Sequence, residues 1–229
     1  PKTPNQKLFV QSLQKDTNCV AARCAGSGKT ILTLHHASKA LLEGRFKRII
    51  LIRPYQPLAG RSIGFLPGEL EDKLIPYYAQ MLSYLEDFLT KPRVEIAMKD
   101  KTIEICSLET IRGRSWDYSI IVVDEAQGLF PQEVQALTTR VGVGSQLILL
   151  GDNSGVQTDI KNKTDGLSYL LGVIEKYNIS AGVTKLTYDD ILRSDITKEF
   201  VIAYDKEQQE EKVSDAKGTV RPSNQSRRR

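Results

Sequence analysis

Ala25-Gly26-Ser27-Gly28-Lys29-Thr30 lies between an apolar run at residues 19–22 and a stretch of apolar periodicity that starts at Lys29. Glycines let a backbone curl until successive amides point at phosphate oxygens, and the positive end of a following helix strengthens the pull. In that setting Lys29 reaches the β- and γ-phosphates of a nucleotide and the Thr30 hydroxyl holds Mg²⁺. The plainer alternative is a Gly-rich turn that caps a helix, and the strand–loop–helix setting argues against it. The P-loop pattern asks for a glycine five positions before Gly28, where this chain has Arg23.

Ile120-Ile121-Val122-Val123-Asp124-Glu125-Ala126-Gln127 is an apolar run that ends in two acids. An Asp at such a strand end is presented to the metal, and an adjacent Glu suits the orientation and activation of an attacking water. Two acids alone would be read as a solvated strand end; the P-loop upstream gives them their chemistry. Gln146–Leu150 is another apolar run, followed by Gly151-Asp152. Ligands of open parallel sheets gather at the carboxyl ends of strands, so Asp152 falls on the edge shared by Lys29 and Asp124. It would sense the γ-phosphate or hold the lytic water through a network; a plain strand-to-loop turn is the other reading.

Other reactive side chains carry less. His35 and His36 are adjacent on one helix and face different ways, without metal-ligand spacing. Cys24 lies near the start of a helix, where its thiol pKa would be lowered. Trp116 and Tyr118 are compatible with base stacking or with packing, and packing is favoured.

These groups need a scaffold. A strand is expected at 19–22, a helix from Lys29 to about Glu43 ended by Gly44, and a strand at 48–52. Pro and Gly between residues 54 and 68 mark a long loop, and a helix from about Glu69 to Leu89 is expected to break at Pro76. Strands are expected at 94–97, 102–106, 120–123, 146–150 and 183–186. Helices are expected from Pro131, from an Asp165 cap through Tyr177, and near 191–204. Strands alternating with helices give an α/β fold, a mostly parallel sheet with helices on both faces, and with the P-loop this reads as one NTPase domain over residues 1–204. Residues 205–229 read as a helical extension fading into a flexible polar and basic tail.

Composition narrows the class. The chain has 229 residues, 40% hydrophobic and 26% charged, values of an ordinary globular domain rather than a fibrous, disordered or membrane class. No apolar run approaches the roughly 20 residues of a membrane span. Three cysteines argue against a disulfide scaffold and, with no signal-peptide pattern, for a cytoplasmic protein. Pro1-Lys2-Thr3-Pro4 opens without Met, which reads as a trimmed chain. Net charge is +4, shared between the tail and a nearly neutral body, so no global basic field marks nucleic-acid binding; Arg227-Arg228-Arg229 is one local cluster, read first as solvated tail.

Several further segments resemble the PhoH-like ATPases, which are related to superfamily 1 helicase cores. They are Pro1–Gln6, Arg53-Pro54, Gly64–Lys73, Arg112-Gly113-Arg114-Ser115, Asp124–Gln127 and Leu137–Gly142. The resemblance implies a single RecA-like P-loop ATPase domain over residues 1–204, in which Gln6 reads adenine, Arg53, Arg112 and Arg114 lie near nucleic acid, and Arg140 and Arg193 approach phosphates. Arg193 is the better candidate for a finger supplied by a neighbouring subunit. Two departures stand out: Arg23, and Gly155 where the family places a Gln, with Gln157 two residues later. Implied partners are RNA or single-stranded DNA and further copies of the chain, plausibly in a hexameric ring.

The leading functional expectation is Mg²⁺-dependent ATP hydrolysis coupled to nucleic acid, helicase-like or remodelling. Its site would comprise Gln6, Ala25, Gly26, Ser27, Gly28, Lys29, Thr30, Asp124, Glu125, Asp152 and Arg193. An ATP-dependent switch with little turnover, which Arg23 keeps open, is the second reading. A small-molecule kinase is the third, and the Asp-Glu-Ala-Gln box counts against it.

Overall fold

A computed structural model of the chain describes residues 1–15, 18–54, 70–111, 113–153 and 165–216. Seven α-helices and six strands order most of the described residues. They are α1 (Pro4–Lys15), β1 (Asn18–Ala22), α2 (Lys29–Leu42), β2 (Arg48–Ile52), α3 (Leu70–Leu89), α4 (Lys91–Lys99), β3 (Ile103–Cys106), β4 (Ser119–Val123), α5 (Pro131–Thr138), β5 (Gln146–Leu150), α6 (Gly166–Tyr177), β6 (Gly182–Lys185) and α7 (Asp195–Ala216). The strands form one parallel sheet in the order β3-β2-β4-β5-β1-β6.

The apolar runs are continuous because both faces of the sheet are covered, and the period of two along each strand divides them. Ile49, Leu51, Ile120, Val122, Ile148 and Leu150 pack with Phe9, Leu34, Tyr78 and Leu85 from α1, α2 and α3. Their neighbours Ile50, Ile52, Ile121, Val123, Leu147 and Leu149 pack on the other side with Val134, Leu137, Leu167 and Trp116. The expected α/β architecture is the observed one, a RecA-like core.

Local signals acted as expected at several termini. Asp165 caps α6 by accepting from the Ser168 N–H at 2.8 Å, Pro131 opens α5, and Gly44 follows α2 with φ +69°. Two expectations fail. Residues 94–97 are not a strand but part of α4: Pro92 stands in its first turn, and Val94 and Ala97, three apart, share its buried side while Ile96 faces solvent. Pro76 does not interrupt α3, which runs on through it to Leu89. No described helix is long and apolar enough to cross a membrane.

Candidate active site

β1 runs into the P-loop, where the backbone turns left-handed at Arg23 (φ 70°), Cys24 (41°), Gly26 (76°) and Gly28 (81°). These turns fold the loop's carbonyls back onto the Lys29 ammonium. Its Nζ donates to the carbonyls of Arg23 (2.7 Å) and Cys24 (2.8 Å) and to Ser27 Oγ (3.4 Å). Burial lowers the Lys29 pKa, against the opposing pull of Asp152, Glu125 and Asp124. Arg23 thus occupies a backbone conformation natural to glycine, which gives the departure from the P-loop pattern a physical meaning: a side chain sits where the loop needs φ > 0.

Across the sheet edge, Thr30 Oγ1 donates to Asp124 Oδ1 at 3.2 Å. Burial, then the adjoining Glu125, raises the Asp124 pKa, while Arg53 and the Thr30 bond work the other way. A hydroxyl and a carboxylate in contact at a phosphate loop are a hard-oxygen donor pair that fits Mg²⁺, which binds with few protein ligands and completes its shell with water and phosphate. Among the described residues no cluster of three or more His, Cys, Asp or Glu suggests another metal site.

A chain of side chains then joins four strand ends. Arg53, after β2, places Nη2 3.5 Å from Glu125 Oε1. Gln127 Nε2 donates to Glu125 Oε2 at 2.6 Å, and Gln127 Oε1 accepts the Asp152 N–H at 3.0 Å. Asp152 Oδ2 accepts the Ala25 N–H at 3.1 Å, returning the chain to the P-loop. The approach needs Gly151: a Cβ there would fall 2.5 Å from Gln127 Oε1. Glu125 itself is left-handed (φ 55°), the kind of backbone outlier that concentrates at functional sites. Gln127 carries no individual signal in the sequence beyond its place two residues after Glu125 in the Asp-Glu-Ala-Gln box.

A cavity of about 430 Å³ brings together Ala25, Gly26, Ser27, Gly28, Lys29, Thr30, Asp124, Glu125, Asp152 and Arg193, with Gln80 and Tyr84 of α3 on its wall. Arg193 lies over its own P-loop: a Cβ on Gly26 would stand 3.0 Å from Arg193 Cδ and Nε. Gln6 is buried behind the loop. Its Nε2 donates to the Ser27 carbonyl at 3.0 Å and its Oε1 accepts the Lys2 N–H at 2.7 Å.

Arg114 and Arg140 are not gathered there. Arg114 pairs with Glu104 on the edge strand β3. The Arg140 carbonyl accepts the Trp116 N–H, beside the amino-terminal ends of β4 and β5 and away from the P-loop edge. Arg112, Gln157, residues 64–69 and the basic tail lie outside the described residues. Trp116 is buried and packs in the core as favoured. The expectation of a lowered Cys24 pKa is reversed: burial, with Asp152 beside it, pushes the thiol up to about 11.

Fold and site together define a P-loop NTPase. The family profile described as "PhoH-like protein" matches residues 1–205, and the chain belongs to the PhoH-like family. It is 34% identical over 206 residues to the PhoH-like protein of Bacillus subtilis (strain 168), covering 90% of this chain and 64% of that one. Against the PhoH-like protein of Mycobacterium leprae (strain TN) it is 34% identical over 205 residues, covering 89% and 58%. Against Protein PhoH2 of B. subtilis it is 35% identical over 197 residues, covering 81% and 44%. The chain thus spans less than two thirds of each of these relatives. Among solved structures, the fold is similar to the large terminase of a thermophilic bacteriophage (TM-score 0.51, 13% identity, 88% of this chain and 50% of that one). It is also similar to the UvsW helicase of bacteriophage T4 (TM-score 0.50, 11% identity, 80% and 60%). At those identities the likeness concerns fold alone.

Proposed function

We propose that this chain hydrolyses ATP with Mg²⁺ and couples hydrolysis to RNA or single-stranded DNA, as a helicase-like or remodelling ATPase. The observation that carries the reading is the contact of Thr30 with Asp124 at the mouth of the P-loop, with Glu125 next in sequence. Lys29 turns from the loop carbonyls to the β- and γ-phosphates, and the amides of residues 25–30 cradle them. Thr30 and Asp124 hold Mg²⁺, which when bound neutralises charge building on the phosphate oxygens. Glu125 orients the attacking water and takes its proton. Arg193 contacts phosphate within its own chain, a role its position over Gly26 supports. Gln6, whose amide bonds the Ser27 carbonyl behind the loop, reads adenine as the family resemblance implies.

The same proposal includes a cytoplasmic protein that assembles head to tail, in a hexameric ring as the family resemblance implies, with Arg53, Arg112 and Arg114 toward nucleic acid. Arg140, away from its own P-loop, is then open to a neighbour's nucleotide. The low-turnover switch draws support from one observation: both Glu125 oxygens already face donors. Glu125→Gln decides between them. ATP turnover should fall by about 10²-fold or more, a large share of what a positioned base contributes, while ATP affinity stays within about twofold. Unchanged turnover would remove Glu125 from its role.

A further inference from the structure

Arg53 is fixed beside Glu125 by its own chain. Its N–H donates to the Tyr78 hydroxyl at 2.8 Å, and its Nη1 donates to the Tyr77 carbonyl at 3.0 Å. The Tyr78 hydroxyl also lies 3.4 Å from the Cys106 carbonyl, so α3 and the ends of β2 and β3 share one anchor. From this anchor Nη2 faces Glu125 Oε1, while Gln127 engages Oε2. A general base must sit within hydrogen-bond reach of the water it deprotonates, and a carboxylate held by an ion pair at Oε1 and a hydrogen bond at Oε2 turns there more readily once the ion pair is given up. The pair remains open to solutes: the Arg53 side chain is 29% exposed and that of Glu125 38%.

We propose that Arg53 is a positioning residue that restrains Glu125 until a phosphodiester takes the guanidinium. Phosphate and carboxylate compete for the same planar fork of donors, so the backbone of single-stranded nucleic acid exchanges for Glu125 on Arg53 and frees the acid to meet water. This rests on Glu125 being the base, and it names the step by which nucleic acid would set the rate. It differs from a plain phosphate contact, because removing a plain contact lowers activity whereas removing a restraint raises it.

The test is steady-state turnover of the full chain with ATP and Mg²⁺, with and without a single-stranded homopolymer and, separately, with inorganic phosphate at matched phosphate concentration. Without polymer, Arg53→Gln should turn over about fivefold faster than the unsubstituted chain, the scale of a partly exposed ion pair. Its KM for ATP should be unchanged, and polymer should accelerate it no further. Arg53→Lys, which keeps the charge, should stay restrained and stimulated. The Tyr78 bond is made by the Arg53 backbone and survives the substitution; Arg53→Met carries the same expectation should Arg53→Gln melt early. Turnover no faster than that of the unsubstituted chain overturns the restraint. Stimulation by inorganic phosphate as strong as by polymer, or none by polymer, overturns nucleic acid as the releasing ligand. Glu125→Gln run alongside separates the failures: if it still hydrolyses ATP, the base assignment is wrong; if it is inactive and Arg53→Gln gains nothing, only the restraint is.

Discussion

Gln127 bonds two groups that belong to different strands: the Glu125 carboxylate after β4 and the Asp152 N–H after β5. Gln127→Ala removes both contacts and leaves a buried N–H without its acceptor, which costs about 1–3 kcal/mol of stability. We expect kcat to fall about tenfold, because Gln127 ties the Glu125 carboxylate to the end of β5 whereas Arg53 holds the oxygen that turns to water, while KM for ATP holds, since the P-loop's own contacts with Lys29 do not pass through this amide. Steady-state kinetics beside urea unfolding checks both parts; an unchanged kcat would reduce Gln127 to a packing role. Cys24 shows the opposite lesson at the same scale. A helix start suggests an activated thiol, but this one is buried with Asp152 beside it, and both raise its pKa.

The N-terminal helix is tied to the segment after β6 through Asp190. That carboxylate is buried and accepts from the Thr3 hydroxyl, from Asn5 Nδ2 at 2.9 Å and from the Thr187 N–H at 2.7 Å. Burial alone would raise its pKa; the hydrogen bonds outweigh burial and hold it below the ordinary 3.8. A pKa depressed on folding stabilises fully above the unfolded value and ceases to as pH falls through the folded one. The urea-midpoint advantage of the unsubstituted chain over Asp190→Asn should therefore be constant above about pH 5 and shrink below about pH 4; a difference that stays flat into acid would contradict it. Elements of this kind were unequally legible. The buried strands 48–52, 119–123 and 146–150 announced themselves because a parallel sheet buries both faces, and the Asp165 cap and Pro131 carried local chemistry. The helix at 91–99 did not, because Val94 and Ala97 offer only a short apolar signal that suits a strand as well. The P-loop and the acidic strand end were readable as motifs. The Arg53–Glu125–Gln127–Asp152 chain was not, since it exists only because β2 neighbours β4 and β4 neighbours β5, an order that sequence spacing does not encode.

At the scale of the whole molecule, a net charge of +4 with a nearly neutral body gives little long-range pull on a polyanion. Nucleic acid would then be held by local contacts such as Arg53, and any effect it has on turnover should be local and salt-sensitive. The sheet brings the ends of β1, β2, β4 and β5 to one edge, so that the phosphate loop, the Thr30–Asp124 pair, Glu125 and Arg53 share a single frame that such coupling would use. The most direct measurement is steady-state ATP hydrolysis by the full chain with Mg²⁺, with and without single-stranded RNA or DNA, at about 50 mM and about 200 mM salt. The account predicts Mg²⁺-dependent turnover that rises with nucleic acid at the lower salt and loses that rise at the higher. ATP bound without hydrolysis under every condition, or brisk hydrolysis indifferent to nucleic acid, would contradict it.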